Sequence, residues 1–367
     1  MRYRAVSGSI ILATGVLACG GDEAKTVDPV AIAYITHSEC NRFHDLARAG
    51  ARQARTELLA TSERPVEVTI LEPACVELAD DGTTGSDDPC FASRPQMKVL
   101  QEVIDRKVDA IVIDVFDGVC ERDLVDQAVD AGIKVVTYGG DAPASKRHTY
   151  YGMDNRAAAA FLMDALATLN GKTGKIALQT MMEDDGEGAY SPTAAGTFVD
   201  RLAGFSDALK KYPDMTNVAT LPCLCCDYKD PFCTQQAEAA LQDDPEIAGF
   251  FFSYSKLLGE PDLEANAPLF TERAKEKKIH SVAFDALPEY FDRMRAGYVD
   301  VLLGQKVFGW GYDTVLLAYD MVTIHRQVND FTDAGWYVVC PNNLDEFERN
   351  TRAMDYRTPL PACSLLP

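Results

Sequence analysis

The chain has 367 residues, of which 47% are hydrophobic and 25% are charged. This composition is typical of a soluble globular protein that is long enough for one large or two medium domains. The formal net charge of −21 argues against nucleic-acid binding, because phosphate contacts need a basic face that this sequence does not contain.

Residues 1–18 are typical of a secretory signal peptide, because they begin with two arginines, continue with an apolar run and end in Leu-Ala. Cys19 follows directly and precedes a Gly-Gly-Asp segment, a pattern that resembles a bacterial lipobox. We therefore predict that Cys19 carries a lipid that anchors the protein to a membrane of the cell envelope, with a linker over 19–29. The alternative is a soluble secreted protein that is cleaved after Ala18.

Strand-like and helix-like segments alternate in the first part of the chain. A buried strand of a parallel sheet reads as a short apolar run, and an amphipathic helix repeats its apolar residues with a period of 3.6. On these patterns we predict strands over 30–36, 66–71, 110–115, 133–138 and 149–153, and helices over 45–59, 97–105 and 124–131. This order predicts a parallel sheet with helices on both faces.

A second series of the same kind follows. We predict helices over 156–169, 197–211, 234–243, 269–277 and 288–296, and strands over 175–179, 217–221, 249–252, 281–284 and 299–303. Two α/β lobes are more economical than one sheet of about ten strands.

Eleven cysteines are present, and the ten besides Cys19 predict disulfide bonds, because an exported protein meets an oxidising compartment. Cys75 and Cys90 flank an acidic, glycine-rich excursion, and we predict that they pair with each other. Cys40 and Cys120 lie in loops that follow adjacent predicted strands, so we expect a second pair between them.

Four further cysteines lie within eleven residues, at positions 223, 225, 226 and 233. Four thiolates can surround a zinc ion. Their spacing, however, differs from the paired CxxC knuckles of structural zinc sites, so disulfides are favoured and no metal or cofactor is predicted.

The stretch 133–155, IKVVTYGGDAPASKRHTYYGMDN, carries the most information. Its first strand ends in Gly139, Gly140 and Asp141, which places an exposed carboxylate where open α/β sheets bind ligands. Its second strand leads to Asp154 and Asn155, a helix N-cap pair.

The 133–155 segment resembles the sequences of the sugar-binding branch of the type I periplasmic binding proteins, the relatives of ribose-binding protein. Further similar segments are 36–51, 201–205, 282–285, 304–312 and 333–347. The resemblance implies two Rossmann-like lobes with parallel sheets, joined by a hinge that the chain crosses three times. The implied lobes are 30–153 plus 305–333 and 154–304 plus 337–355, with a tail over 356–367.

This sequence departs from the family pattern in two places. In the first ligand loop, His44 stands where a second aromatic residue is expected. After the strand over 133–138, Gly139 and Gly140 stand where an acid and its neighbour are expected.

A sugar or polyol is bound by planar hydrogen-bonding groups together with rings that cover its C–H faces. Together with the resemblance, this chemistry implies a ligand set of Asn41, Phe43, His44, Asp141, Arg201, Tyr254, Asp285 and Gln305.

Several members of this set have other possible roles. Phe43 is also explained as a staple into the core, and His44 either stacks on a sugar or caps a helix. Arg201 either reaches the cleft or is an exposed helical arginine, which is the commoner outcome. The family pattern puts Asp285 and Gln305 on opposite sides of the cleft. Trp310 is expected to serve packing, because glycines bracket it.

The sequence has no motif of an enzyme, since it lacks G-x-S-x-G, G-x-G-x-x-G after a strand and the Walker A pattern. The resemblance implies a monomeric lipoprotein that binds a small sugar or polyol and delivers it to an ABC-type permease. One alternative is a sensor that presents its ligand to a membrane receptor or kinase. An alternative of another class is a redox or metal-handling protein that uses the 223–233 cysteines.

Overall fold

A computed structural model describes residues 28–39, 42–76, 88, 90–184, 190–192, 196–224, 231–356 and 358–365. The predicted signal segment, the lipidation residue Cys19 and the ligand residue Asn41 lie outside the described residues.

The predicted alternation of strands and helices is confirmed. In chain order the elements of the first part are β1 (Val30–Ile35), α1 (Asp45–Thr61), β2 (Val66–Leu71), α2 (Arg94–Asp105), β3 (Ala110–Ile113), α3 (Arg122–Asp130), β4 (Lys134–Tyr138) and β5 (Thr149–Gly152).

The second part continues with α4 (Asn155–Leu169), β6 (Gly174–Asp184), β7 (Tyr190–Pro192), α5 (Gly196–Leu209), β8 (Met215–Cys223), α6 (Phe232–Asp243), β9 (Ile247–Phe252), α7 (Leu263–Asn266), α8 (Pro268–Lys275), β10 (His280–Phe284) and α9 (Pro288–Arg295). The last elements are β11 (Val301–Gln305), α10 (Val307–Thr323), β12 (Phe331–Asp333), β13 (Trp336–Val339) and α11 (Leu344–Arg352).

The first lobe is built on a six-stranded sheet in the order β12-β5-β4-β3-β1-β2, and all of its pairings are parallel. Its central strands are continuous apolar runs because helices cover both faces. Helix α10 returns from the second lobe and packs closely on α1. A Cβ atom at Gly311 would lie 1.8 Å from the Ala47 carbonyl oxygen, and one at Gly50 would lie 2.1 Å from that of Phe308, so only glycine fits at either position.

The second lobe has its own sheet, in the order β13-β11-β10-β9-β6, with β8 on the free side of β6. Its pairings are parallel except for β13 with β11 and β7 with β6. The chain therefore crosses between the lobes after β5, after β11 and between β12 and β13. Two α/β lobes with a three-crossover hinge are thus confirmed.

The C-terminal tail contacts both lobes. A disulfide joins Cys363 to Cys340, which follows β13 of the second lobe. The ring of Tyr356 stacks on Phe308 of α10 in the first lobe, with 4.4 Å between the ring centroids. The Tyr337 hydroxyl donates to the Tyr356 carbonyl oxygen at 3.2 Å. The tail therefore lies across the hinge.

The observed disulfide bonds differ from two of the pairs predicted from the sequence. Cys90 bonds to Cys120, with 5.6 Å between their Cα atoms, so the predicted pairs Cys75 with Cys90 and Cys40 with Cys120 are wrong. The reason is tertiary: α2 and α3 pack side by side, and the two cysteines lie at their adjacent N-terminal ends. Cys75 is also disulfide-bonded.

In the 223–233 segment, Cys223 bonds to Cys233, as the disulfide interpretation predicted. These two sulfur atoms are therefore not free to bind zinc as thiolates.

Candidate ligand site between the lobes

The chain crosses between the lobes directly after the carboxyl ends of β5 and β11, so these ends of both sheets lie at the hinge, and Tyr150 lies in β5. The Tyr150 hydroxyl donates to the Gly139 carbonyl oxygen at 3.0 Å. Burial raises the pKa of Tyr150, and the carboxylates of Asp141 and Asp114 in the first lobe raise it further, whereas Arg201 of the second lobe opposes them. Arg201 of the second lobe therefore lies near enough to act on a hydroxyl of the first lobe.

A buried carboxylate marks the edge of the first lobe. Asp114 follows β3 directly, and only 1% of its surface is exposed. Its Oδ1 accepts a hydrogen bond from the Gly140 backbone N–H at 2.8 Å, and its Oδ2 lies 2.7 Å from His44 Nδ1. Burying a charge without a partner is costly, so the imidazole and the amide stabilise this carboxylate. His44 thus contacts an acid, and it makes no side-chain capping bond to α1.

Aromatic rings surround Asp114 on one side. Neighbouring ring centroids are 4.4 to 5.9 Å apart along a continuous series, which is within the range of favourable ring contacts. In order, the rings are Phe116, His37, His44, Trp310 and Phe43. Rings beside a carboxylate are the groups that cover the C–H faces of a sugar while accepting from its hydroxyls.

Three polar atoms of this ring series are buried without a hydrogen-bond partner, namely His37 Nδ1, His44 Nδ1 and Trp310 Nε1, although His44 Nδ1 lies 2.7 Å from Asp114 Oδ2. Burial lowers the pKa of His37, although the charge of Asp114 opposes this effect, so the imidazole is neutral at pH 7. Trp310 is 3% exposed and packs as predicted, but its indole N–H remains available to an acceptor.

The predicted acid Asp141 has a partner within its own lobe. Arg147 donates to both of its carboxylate oxygens, at 2.5 and 2.8 Å, and Thr137 Oγ1 donates to Oδ1 at 2.6 Å. Arg147 also reaches Asp330 at 2.6 Å. Asp141 is therefore half-buried in an ion pair, and the expectation of an exposed carboxylate is wrong.

The edge of the second lobe holds a buried cation. Arg201 lies on α5 with 2% exposure, so the exposed helical arginine is excluded. Its Nε donates to Asn155 Oδ1 at 3.0 Å and its Nη1 to the Ser253 carbonyl oxygen at 2.8 Å, while the guanidinium lies 3.9 Å from the ring centroid of Phe284. Burial lowers the pKa of Arg201 to about 10, against the opposing charge of Asp285. The side chain remains cationic at neutral pH.

Asp285 and Gln305 lie beside each other. They follow or end the neighbouring strands β10 and β11 of one sheet, and Gln305 Nε2 donates to Asp285 Oδ1 at 2.7 Å. Their expected placement on opposite sides of the cleft is therefore wrong. Asp285 has a φ of 66°, a left-handed conformation that Asp and Asn adopt more readily than most residues. This backbone turns the carboxylate towards the end of the neighbouring strand.

Tyr254 follows β9 and packs edge-on against Phe198, with 5.7 Å between the centroids. The hydroxyl of its neighbour Ser253 donates to that of Thr180 within the adjacent β6, with 2.7 Å between the oxygens. Arg201 also bonds to Ser253, so Tyr254 belongs to the same edge as Arg201.

The structure thus brings together Phe43 and His44 at the first edge, and Arg201, Tyr254, Asp285 and Gln305 at the second. Sequence reasoning missed Asp114 and Tyr150. Asp141 and Asp285 were selected because each is an acid that closely follows an apolar run. Asp114 has the same signal, so the sequence could have identified it. No comparable signal marks Tyr150.

Within the described ranges, no group of three or more His, Cys, Asp or Glu side chains is arranged to hold a metal ion. In the same part of the chain, no helix has the length and apolar character needed to cross a membrane.

Comparison with known families gives a match to the periplasmic binding protein domain over residues 69–326. The chain belongs to this family. The resemblance noted in the sequence is therefore confirmed, and periplasmic binding proteins act in the periplasm or at the cell envelope. A search of curated proteins gives no match.

Solved structures of periplasmic binding proteins share the fold. A solute-binding protein of an ABC transporter from Burkholderia graminis, in complex with D-arabinose, is 23% identical with a TM-score of 0.68, over 87% of this chain and 98% of that one. A sugar-binding protein from Bacillus halodurans is 20% identical with a TM-score of 0.67, over 86% and 99%. A solute-binding protein from Bacillus halodurans C-125 with bound myo-inositol is 17% identical with a TM-score of 0.66, over 88% and 98%.

Proposed function

We propose that this protein is the substrate-binding component of an ABC-type transporter and that it closes its two lobes over a neutral sugar or polyol. The observation that carries this proposal is the pair of strand edges at the hinge, one in each lobe. One edge offers a carboxylate and a series of rings, and the other offers a guanidinium and a bonded carboxylate–amide pair. A polyol has donors, acceptors and C–H faces for all of these groups.

The composition of the site favours a neutral ligand over an ionic one. Asp114 lies close to an imidazole, and Arg201 is bonded to neutral oxygens with the charge of Asp285 nearby. The structural neighbours described with D-arabinose and myo-inositol support the same class of ligand. We propose no catalytic activity, because the site combines binding groups and its family consists of solute-binding proteins.

A thermal-shift and calorimetric screen tests this proposal. The purified protein is measured with D-arabinose, D-ribose, D-glucose, D-galactose and myo-inositol. We expect at least one of them to raise the melting temperature in a saturable manner, since a ligand that binds only the folded state stabilises it. The proposal fails if none of them, nor other pentoses, hexoses or inositols, changes the melting temperature. A sugar that binds without supporting uptake by any permease would favour the sensor alternative.

We further propose that the protein is a monomer held at the membrane by a lipid on Cys19. The Cys19→Ala variant should move from the membrane fraction to the soluble extract, because alanine lacks the thiol to which the lipid would be attached. A wild-type protein that is equally soluble would contradict the anchor and leave the sugar-binding proposal unaffected.

A further inference from the structure

The glycine pair at the end of β4 is explained by its neighbour on β3. The resemblance noted in the sequence implies an acid and a second side chain at the positions of Gly139 and Gly140. A Cβ atom at Gly139 would lie 2.7 Å from Asp114 Oδ1, and one at Gly140 would lie 2.0 Å from the Val115 carbonyl oxygen. The carboxylate of Asp114 therefore occupies the space that a side chain at position 139 would need.

The backbone at this point is shaped to hold that carboxylate. Gly139 has a φ of 62°, which favours glycine, and the following amide of Gly140 points at Asp114 Oδ1. His44, at the position where the family has an aromatic residue, lies against the other oxygen. The two departures from the family pattern, the glycine pair and the histidine, thus meet at one side chain.

We propose that Asp114 supplies the ligand-binding carboxylate of the first lobe, from β3 in place of β4, and that it accepts a hydroxyl of the sugar. This inference rests on the proposed sugar-binding function. An ionised carboxylate offers about four acceptor positions, and the Gly140 amide takes one of them. Asp114 Oδ2 is buried without a hydrogen-bond partner, although it lies 2.7 Å from His44 Nδ1. The unpaired indole N–H of Trp310, which packs against His44, supplies a donor beside it. Asp141 is occupied by Arg147 and does not take this role.

The test compares two isosteric substitutions in one loop. Asp114→Asn removes the charge at the proposed contact. Asp117→Asn removes a charge three residues further on, where the side chain caps the Val119 and Cys120 amides, a role that asparagine can also fill. With the sugar of the screen that binds most tightly, we expect Asp114→Asn to weaken affinity by about ten- to hundredfold and Asp117→Asn to leave it unchanged.

Monodeoxy analogues of that sugar separate a direct contact from a structural effect. One analogue should bind more weakly to the wild type yet suffer little further loss in Asp114→Asn, because the hydroxyl and its acceptor form one interaction. Circular dichroism and unliganded melting curves check that the variant folds. If Asp114→Asn binds as tightly as the wild type, or weakens every analogue equally, the inference is overturned and sugar binding stands. A wild type that binds no sugar overturns the proposed function and the inference with it.

Discussion

The two edges of the cleft handle buried charge in different ways. In the second lobe, Arg201, Asp285 and Gln305 each have hydrogen-bond partners inside the lobe before any ligand arrives. In the first lobe, the Gly140 amide donates to one oxygen of Asp114. The other oxygen of Asp114 and the side chains of His44, His37 and Trp310 have buried polar atoms without a hydrogen-bond partner. An unpaired buried polar atom costs free energy, so the first edge gains more from contact with a polar ligand than the second.

The largest expected effect concerns a buried acid of the first lobe. Glu121 is 0% exposed, and burial raises its pKa from 4.5 to about 8. The folded state therefore holds a proton that the unfolded state releases, so stability falls as the pH rises between about 4.5 and 8. Glu121→Gln should remove this dependence and stabilise the protein at pH 8 by about a few kcal/mol.

Urea unfolding of Glu121→Gln and the wild type at pH 5 and pH 8 measures this difference. Equal gains at both values would show that the carboxyl is not protonated in the folded state.

A smaller effect is expected from removing one disulfide in each lobe. Cys90 and Cys120 are 30 residues apart, and Cys223 and Cys233 are 10 apart. Because loop-closure entropy grows with length, replacing the first pair by serines should lower the free energy of unfolding by about 3–4 kcal/mol, and replacing the second pair by about 1 kcal/mol less. Denaturant titrations of both double variants give the comparison. A larger loss at the second pair would reverse it.

The Arg201→Met variant tests the second edge, where the side chain is already hydrogen-bonded within its own lobe. We expect a loss of about 1.5–3 kcal/mol in binding free energy, since a charged donor to the ligand disappears. Stability without ligand should also fall, because Asn155 and Ser253 lose their donor. The matched control is Arg156→Met, at an exposed arginine whose partner is Asp207. An equal loss of affinity in the control would remove Arg201 from the site.

The smallest effect concerns the bond between Asp285 and Gln305. Asp285→Asn tolerates the left-handed backbone, whereas Asp285→Ala would add strain to the loss of the carboxylate. Each of Asp285→Asn and Gln305→Ala should weaken sugar binding. The double variant should lose less than the sum by about 0.5–3 kcal/mol, because the two groups form one unit. Additive losses in calorimetry would mean that they contact the ligand independently.

The sequence was sufficient to predict the lobes because buried parallel strands leave a strong local signal. The runs that became β3, β4 and β10 are mainly apolar, and each has an acid near its end. That signal identifies candidate acids, but it does not indicate which of them lies at the cleft. Asp141 turns to Arg147, an arginine six residues later in the chain, and Asp114 is left at the edge.

Lateral relations between elements account for the other errors. The placement of Asp285 beside Gln305 depends on β10 and β11 being neighbours in the sheet. The bond between Cys90 and Cys120 depends on α2 and α3 being neighbours on one face. Neither relation has a local sequence signal, because both arise when distant segments pack.

The return of α10 and β12 to the first lobe has a consequence for the order of folding. Gly50 packs against a helix that begins at Val307, and β5 pairs with a strand that ends at Asp333. Although the first lobe begins the chain, its sheet and its helical cover cannot be completed until almost the whole polypeptide has been synthesised. Such long-range contacts make folding slow and leave apolar surface exposed in partly made chains. A folded fragment of the first lobe therefore has to join 30–153 to 307–333, and a simple truncation after β5 would leave α1 without its partner.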